Sequence, residues 1–368
     1  MEEQDQESSV RDGRRSSNKG EACEELRQYM YCIFSNVCFA GYNIVSKAAL
    51  DKGMNRYVLV AYGQIFGILA TVFFALIFER NINSKLSVAI LRNVFLLGLV
   101  GSVLGRTLFF AGLEYTSPTF AAALANLIPS ITFILAVLCR MEKVDLSKRG
   151  SQAKILGTII AFGGATLMTL YKGPAVISFH SQRSHQPTTG SRLLLDKDLI
   201  KGSLILVISY ISLSAFYILQ TITIKMYPAP ITLTLLTCIS SAVLSTIVAA
   251  ILDHKASSWK LSWNINLLAP IYSGIVIFGI TIYIQTLVVR KKGPVFMTAF
   301  RPLFTIVVAI MGLLILGDAL YMGSIIGATL IVLGLYATLW GKEKEKADQK
   351  RFEQPITEEV IEIKEVKQ

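Results

Sequence analysis

The stretch PTFAAALANLIPSITFILAVL, residues 118–138, has a counterpart in PVFMTAFRPLFTIVVAIMGLL, residues 294–314, and this pair decides the fold. Each copy starts on a proline and is long enough, at about 1.5 Å per residue, to cross a bilayer as a helix. A second proline interrupts each run, Pro129 in the first and Pro302 in the second. There it removes a helix hydrogen bond and exposes a carbonyl. Bare backbone at that depth is tolerated only against protein or a wet cavity. Pro294 lies 176 residues after Pro118, and the same offset pairs Ala123 with Ala299, Leu138 with Leu314 and Glu142 with Asp318. Further on the offset becomes 170, and GTIIAFGGATLMTLYKG from Gly157 matches GATLIVLGLYATLWGK from Gly327. Two repeats, each about half the chain, follow from this self-similarity.

The whole composition agrees with a membrane setting. The 368 residues are 53% hydrophobic and 17% charged, against about 25% charged in a soluble domain. Ten mostly apolar stretches have cores near 29–48, 57–78, 94–114, 118–139, 153–171, 200–221, 230–251, 267–288, 294–316 and 320–340. The expected fold class is therefore an all-α polytopic membrane protein with ten transmembrane helices. Residues 29–171 form the first five-helix repeat, 172–199 a polar connector and 200–340 the second repeat. The flanking stretches 1–28 and 341–368 are polar and mixed in charge, and are expected to be disordered tails, the second beyond its first turns. The first apolar run is too long, and wrongly flanked, for a cleaved signal peptide. Four of the five cysteines lie in or beside apolar runs without metal-ligand spacing, which suits small buried hydrophobes.

Five crossings reverse the chain's direction, so the second repeat enters the bilayer from the opposite side. Inverted repeats place a substrate site near the midplane between them and suit a carrier with alternating access. Of the Lys and Arg residues, 24 fall on the side of both termini and 9 on the other. This bias predicts cytoplasmic termini and explains most of the net charge of +11.

Three cations, Lys47, Arg106 and Arg301, fall within spans. A charge there is costly and needs a partner or a purpose. Arg106 and Asn126 are each about eight residues from the outer face, and Gln64, Tyr42 and Asn43 are at comparable depth. These residues are expected to line one polar cavity, Arg106 holding a substrate carboxylate bidentately while Asn126 and the carbonyl freed by Pro129 take an ammonium. The competing role for Arg106 is a fastener that bonds to nearby carbonyls or snorkels. Arg301, just before Pro302, is the inward-facing candidate, and Lys47 is close enough to the outer end to snorkel. On the sixth span Tyr210, Ser214 and Tyr217 share one helix face, suited to stacking on a solute or to packing. Gln220 and Gln285 lie near inner span ends as an inner-gate candidate. The glycines Gly157, Gly163, Gly164, Gly327 and Gly334 are expected to permit close helix packing.

Several of these stretches carry a resemblance. The first span ending in Lys47 with Gly53 and Asn55 after it, Tyr62 and Gln64, the run GLEYTSPTFAAALANLIPSITFILA and Glu142 form its first half. The blocks AKILGTIIAFGGATLMTLYKG, GPVFMTAFRPL, LGD and GSIIGATLIVLGLYATLWGK complete it. Over about residues 30–342 the chain resembles the plant drug/metabolite transporters with two EamA domains, the nodulin-like or walls-are-thin-related group that includes the UMAMIT amino-acid facilitators. The resemblance implies a ten-helix basket and the export or facilitated movement of amino acids or related small organic solutes, auxin-like ones among them. Two positions depart from the family pattern. Gly63 stands where an arginine is usual, which would remove a cation near the outer mouth, and Asp318 stands where a glutamate is usual.

Other classes fit less well. There is no HExxH and no glycine loop before GK[ST], and all three histidines are in polar loops, so no enzyme, metal site or cofactor is expected. Nucleic acid is excluded as a partner by the membrane character of most of the chain; the expected partners are a small-molecule substrate and the lipid bilayer, with the plasma membrane ahead of the vacuolar membrane. The alternatives to an amino-acid carrier are an exchanger of phosphorylated solutes such as nucleotide sugars, and a solute receptor that does not transport.

Overall fold

A computed structural model describes residues 2–79, 86–141, 148–171, 173–177, 197–252, 259–260, 263–316 and 320–365; within 2–23 and 345–365 it describes the backbone alone. The helices are α1 (Glu2–Asp51), α2 (Arg56–Phe78), α3 (Val88–Glu114), α4 (Pro118–Leu138), α5 (Arg149–Leu170), α6 (Lys197–Met226), α7 (Pro230–Leu252), α8 (Ile265–Lys292), α9 (Pro294–Ile315) and α10 (Met322–Glu365). One short antiparallel ribbon joins β1 (Ala175–Ile177) to β2 (Leu320–Tyr321). Among the described residues, eight helical stretches are long and apolar enough to cross a membrane: α2, α3, α4, α6, α7, α8, α9 and the first part of α10. The apolar half of α1 is not one of them, because it carries Ser35, Asn36, Asn43 and Ser46, all buried inside the bundle. Glu142, Asp318 and the three histidines lie outside the described residues.

Both tails differ from expectation. α1 is helical from Glu2 and α10 continues to Glu365, so these stretches extend the first and last helices. Their Glu, Gln, Lys and Arg content makes them good helix formers once an ordered helix leads into them.

The proline-broken segments are the irregular centre of the bundle. Ser117 caps α4, its side chain accepting from Phe120 N at 3.1 Å, with Pro118 in the first turn. The helix then tightens into a 3₁₀ turn over Ala125–Leu127 before resuming at Ile128. That turn corrects one expectation. The Ala125 carbonyl that Pro129 cannot reach accepts from Ile128 N and is not left bare. In α9 the break falls at Ala299–Phe300, between Pro294–Thr298 and Arg301–Met311, and Leu303 N turns to Phe300 O at 3.1 Å. The two breaks are fastened to each other. Asn126 Nδ2 donates to Thr305 Oγ1 at 2.8 Å, and Thr305 Oγ1 donates to Ala122 O at 2.8 Å.

A second irregularity also recurs. α3 widens into a π-helix over Leu99–Arg106, and α8 does the same over Ser273–Thr281. Hydroxyls from α6 bond to backbone carbonyls in the first, Ser212 to Val100 O at 2.9 Å and Ser209 to Gly105 O at 2.7 Å. In the second, Thr281 Oγ1 bonds back to Val276 O at 2.8 Å.

Contacts between helix ends sort them into two rims. At one rim Glu79, after α2, takes the first amides of α7, Ile231 N at 2.9 Å and Thr232 N at 2.7 Å, completing a helix N-terminus with a carboxylate. Lys291 and Lys292 pair there with Glu24 and Glu25. At the other rim Arg56 pairs with Glu114, Lys201 Nζ reaches Tyr115 Oη at 3.2 Å, and β1 pairs with β2. The outer belt between the rims is apolar, with Leu76, Leu204, Val243 and Leu314 more than half exposed, as lipid contact requires.

α5 and α10 meet along glycines. A Cβ on Gly334 would sit 2.7 Å from Ala161 N, and one on Gly164 would sit 2.8 Å from Gly327 O. Gly157 likewise faces the Gly334 carbonyl. Gly163 does not belong to this seam, since nothing lies within 4 Å of a Cβ placed there. Gly334→Ala is therefore expected to lower the thermal midpoint of the detergent-solubilised protein, by an overpacking cost of about 1–3 kcal/mol, while Gly163→Ala leaves it unchanged. Equal midpoints for both variants would show that the seam is not a tight contact. Asn126→Ala should also lower the midpoint, at a cost of about 1–2 kcal/mol for a lost buried hydrogen bond, and a scan matching the unmodified chain would rule out the fastener.

Candidate functional site

Phe39, Tyr42 and Asn43 recur at i, i+3 and i+4 on α1 and therefore share one face. That face meets Arg106, Phe109 and Phe110 of α3, Ala125 and Ile128 at the α4 break, and Tyr210, Leu213, Phe216 and Tyr217 of α6. Ile282 and Gln285 of α8 and Arg301 and Phe304 of α9 close the ring. Together they bound a cavity with about 670 Å³ of empty volume, open solvent at its mouth included. The broken and widened helices supply much of its wall, because they place side chains where a regular helix would not.

The two arginines expected on opposite halves of the membrane lie in this one cavity. Arg106, at the end of the α3 π-segment, stacks over the Phe278 ring at 4.3 Å and lies 6.0 Å from the ring centres of Phe39 and Tyr42. Arg301 lies 5.5 Å from the Phe39 ring centre and 5.3 Å from that of Phe304. Its guanidinium donates to Tyr217 Oη at 3.2 Å, which also accepts from Gln285 Nε2 at 3.4 Å. Arg301 is 7% exposed, so it belongs to the interior and does not reach headgroups. Among the described residues no Asp or Glu lines the cavity, and neither arginine has an acidic partner. Aromatic faces offset part of the cost of such charges, by up to about 2 kcal/mol each when water is excluded.

Several polar atoms at the same wall have no hydrogen bond of good geometry: Tyr42 Oη, both side-chain atoms of Asn43 and Gln285 Oε1. Asn43 is only 2% exposed. Buried polar groups of this kind cost about 1–3 kcal/mol each unless something bonds to them, so these atoms are available to a bound solute.

Not every residue expected at the site lines it. Asn126 does not line the cavity: its Nδ2 donates to Thr305 as described, while its Oδ1 has no hydrogen bond of good geometry. Pro129 and Pro302 shape the wall without lining it. Ser214 donates to Ile128 O at 3.3 Å, a packing bond between α6 and α4. Tyr210 lines the cavity with its ring, while its hydroxyl donates to Ala121 O at 2.6 Å. Gln64 Nε2 donates to Ser102 Oγ at 3.2 Å in an adjoining cavity of about 360 Å³ that shares Arg106. Gln220 is held by Thr286 at 2.7 Å, outside the main cavity. Lys47 stays at the rim, pairing with Asp51 at 3.2 Å and donating to Leu113 O at 3.4 Å. Gly63 faces Ser273 and Phe278 in the contact between α2 and the α8 π-segment, not an outer mouth.

Some functional residues escaped sequence reading. The aromatic wall of Phe39, Phe109, Phe110, Phe216 and Phe304 was hidden among the 19 phenylalanines of an apolar chain. The i, i+3, i+4 pattern of Phe39 with Tyr42 and Asn43 was the available signal. Lys154, counted with the loops by sequence position, is 1% exposed in α5 and lies 5.3 Å from the Phe133 ring centre.

Comparison with known proteins places this architecture. The EamA-like transporter family matches residues 26–170. A WAT1-related protein of Arabidopsis thaliana is 43% identical over 336 residues, which cover 88% of this chain and 84% of the relative. Two further WAT1-related proteins of the same plant are 40% and 39% identical, each over 87% of this chain. A solved crystal structure, 16% identical, superposes with a TM-score of 0.54 over 85% of this chain and 97% of its own, a likeness of fold alone. The chain is thus an integral multi-pass membrane protein and belongs to the WAT1-related group of the EamA-like transporter family.

Proposed function

We propose that this chain carries amino acids or related small organic acids, auxin-like ones among them, across a plant membrane by alternating access, as an exporter or bidirectional facilitator. Ten crossings in two inverted five-helix repeats form the carrier, with α1 and α5 joining the eight clearly apolar helices. Recurrence of both the proline break and the π-segment at equivalent places in the two halves supports the repeat. The observation that carries the reading is the cavity in which, among the described residues, Arg106 has no acidic partner while Asn43 and Gln285 keep unbonded polar atoms. Arg106 binds the solute carboxylate. Asn43 Oδ1 and Gln285 Oε1, both at the cavity wall, accept from an ammonium group, and the phenylalanine wall holds the apolar body.

Two guanidinium groups in one cavity also favour the second reading, an exchanger of phosphorylated solutes. The two separate in flux measurements on reconstituted vesicles. A facilitator moves amino acids down their gradient with nothing on the opposite side, whereas an exchanger moves solute only against a phosphorylated solute on the trans side.

Arg106→Ala should lower amino-acid flux about tenfold or more, the loss expected for a charge-assisted hydrogen bond of about 1.5–3 kcal/mol, with unchanged delivery to the membrane. Arg106→Lys should retain part of the flux, because it keeps charge but loses the planar fork. Normal flux through Arg106→Ala sinks the carboxylate role. We further propose that the protein sits in the plasma membrane and, from its Lys and Arg bias alone, that both termini are cytoplasmic. A C-terminal epitope tag should then be detected only after cells are permeabilised, and antibody binding to intact protoplasts would reverse the orientation.

A further inference from the structure

We infer that the cavity selects solutes carrying two acidic groups, with Arg106 holding one end and Arg301 the other, so that short dicarboxylates and acidic amino acids are its preferred substrates. The inference rests on the transporter reading above and narrows its substrate class.

The argument is one of charge and spacing. Both guanidinium carbons face the same ring, 6.0 Å and 5.5 Å from the centre of Phe39, so no more than about 12 Å separates them. The cavity they share has no described acidic residue in its wall. Among the described residues, Arg301 is given the neutral Tyr217 hydroxyl and the rings of Phe39 and Phe304, and Arg106 is stacked on Phe278. A zwitterionic solute entering such a cavity leaves a net charge of about +2, because its ammonium cancels its carboxylate. A monocarboxylate neutralises one charge. A dianion neutralises both, and in apolar surroundings that difference is amplified.

Geometry then gives a sufficient length. A bidentate guanidinium–carboxylate pair sets its two carbons about 4 Å apart. A solute whose carboxyl carbons are about 4 Å apart is therefore already long enough to reach both arginines, a span that diacids with four or five carbons provide. The hydroxyl of Tyr217, already accepting from Arg301, pins the second guanidinium in place for such a ligand. Asn43, unbonded and buried in the wall of the same cavity, fits a hydroxyl or ammonium on the connecting chain.

The test compares solutes of matched shape that differ in one acidic group, using the full-length purified protein in detergent and in vesicles. Binding is measured for succinate against succinamate and for glutamate against glutamine. Succinate and glutamate are expected to bind at least tenfold tighter than their amide partners, and Arg301→Gln should weaken glutamate at least tenfold more than it weakens glutamine. Equal affinities within either pair in the unmodified protein overturn the inference, without any variant needing to fold. Displacement of succinate by a simple phosphate monoester at equal concentration also overturns it, since a single doubly charged group would then suffice. Movement of glutamine as well as glutamate, with no difference in affinity, leaves the carrier reading standing alone. Tight succinate binding without movement across the vesicle supports the clamp and removes the carrier reading instead.

Discussion

Thr305 accepts a hydrogen bond from Asn126 and donates one to the carbonyl of Ala122, and through it the two proline breaks become a single joint. Inside an apolar bundle a broken helix is stable only if every freed backbone group finds a partner. Here the 3₁₀ turn at Ala125–Leu127 absorbs one carbonyl within its own helix, and the side-chain relay ties that helix to the start of the resumed α9. Arg301 occupies the first residue of that resumed helix and Ala125 the first residue of the 3₁₀ turn in the other. The joint therefore fixes where the cavity lies and which charges face it.

Much of the site was legible because polar residues stand out in an apolar chain. Arg106, Arg301, Tyr42, Asn43, Tyr217 and Gln285 could be chosen from the sequence on cost alone, and all of them reach one cavity. Asn126 does not line it, for a specific reason. Counting residues from the membrane face gives depth, but not the direction around the helix axis, and Asn126 points across to α9 instead of inward. The same limitation applies to Gln64, which lines the smaller neighbouring cavity. Fold class and the recurrence of the broken span were legible in Pro118, Pro129, Pro294 and Pro302. The π-segments were not, because they are stabilised partly by Ser209 and Ser212, roughly a hundred residues away along the chain. No local pattern announces a partner that distant.

The bundle keeps its two kinds of charge apart. Carboxylates with described partners sit at the rims, where Glu79 closes a helix end and Glu114 meets Arg56. The buried guanidinium groups, by contrast, are given rings and hydroxyls. Such a division leaves the interior positively biased and the ends stapled, so attraction of an anion inward and mechanical closure of the rims are served by different residues.

The wide turns of α3 and α8 have a mechanical meaning. A π-segment holds one more residue per turn than its flanks, which amounts to slack stored in the helix. Moving that slack by one position along α3 exchanges a backbone bond without breaking the helix, and it rotates the side chains it passes by about 100° around the axis. Arg106 stands at the last residue of the slack, on the wall shared by the two cavities. A ratchet of one residue would thus carry a full positive charge from one compartment toward the other.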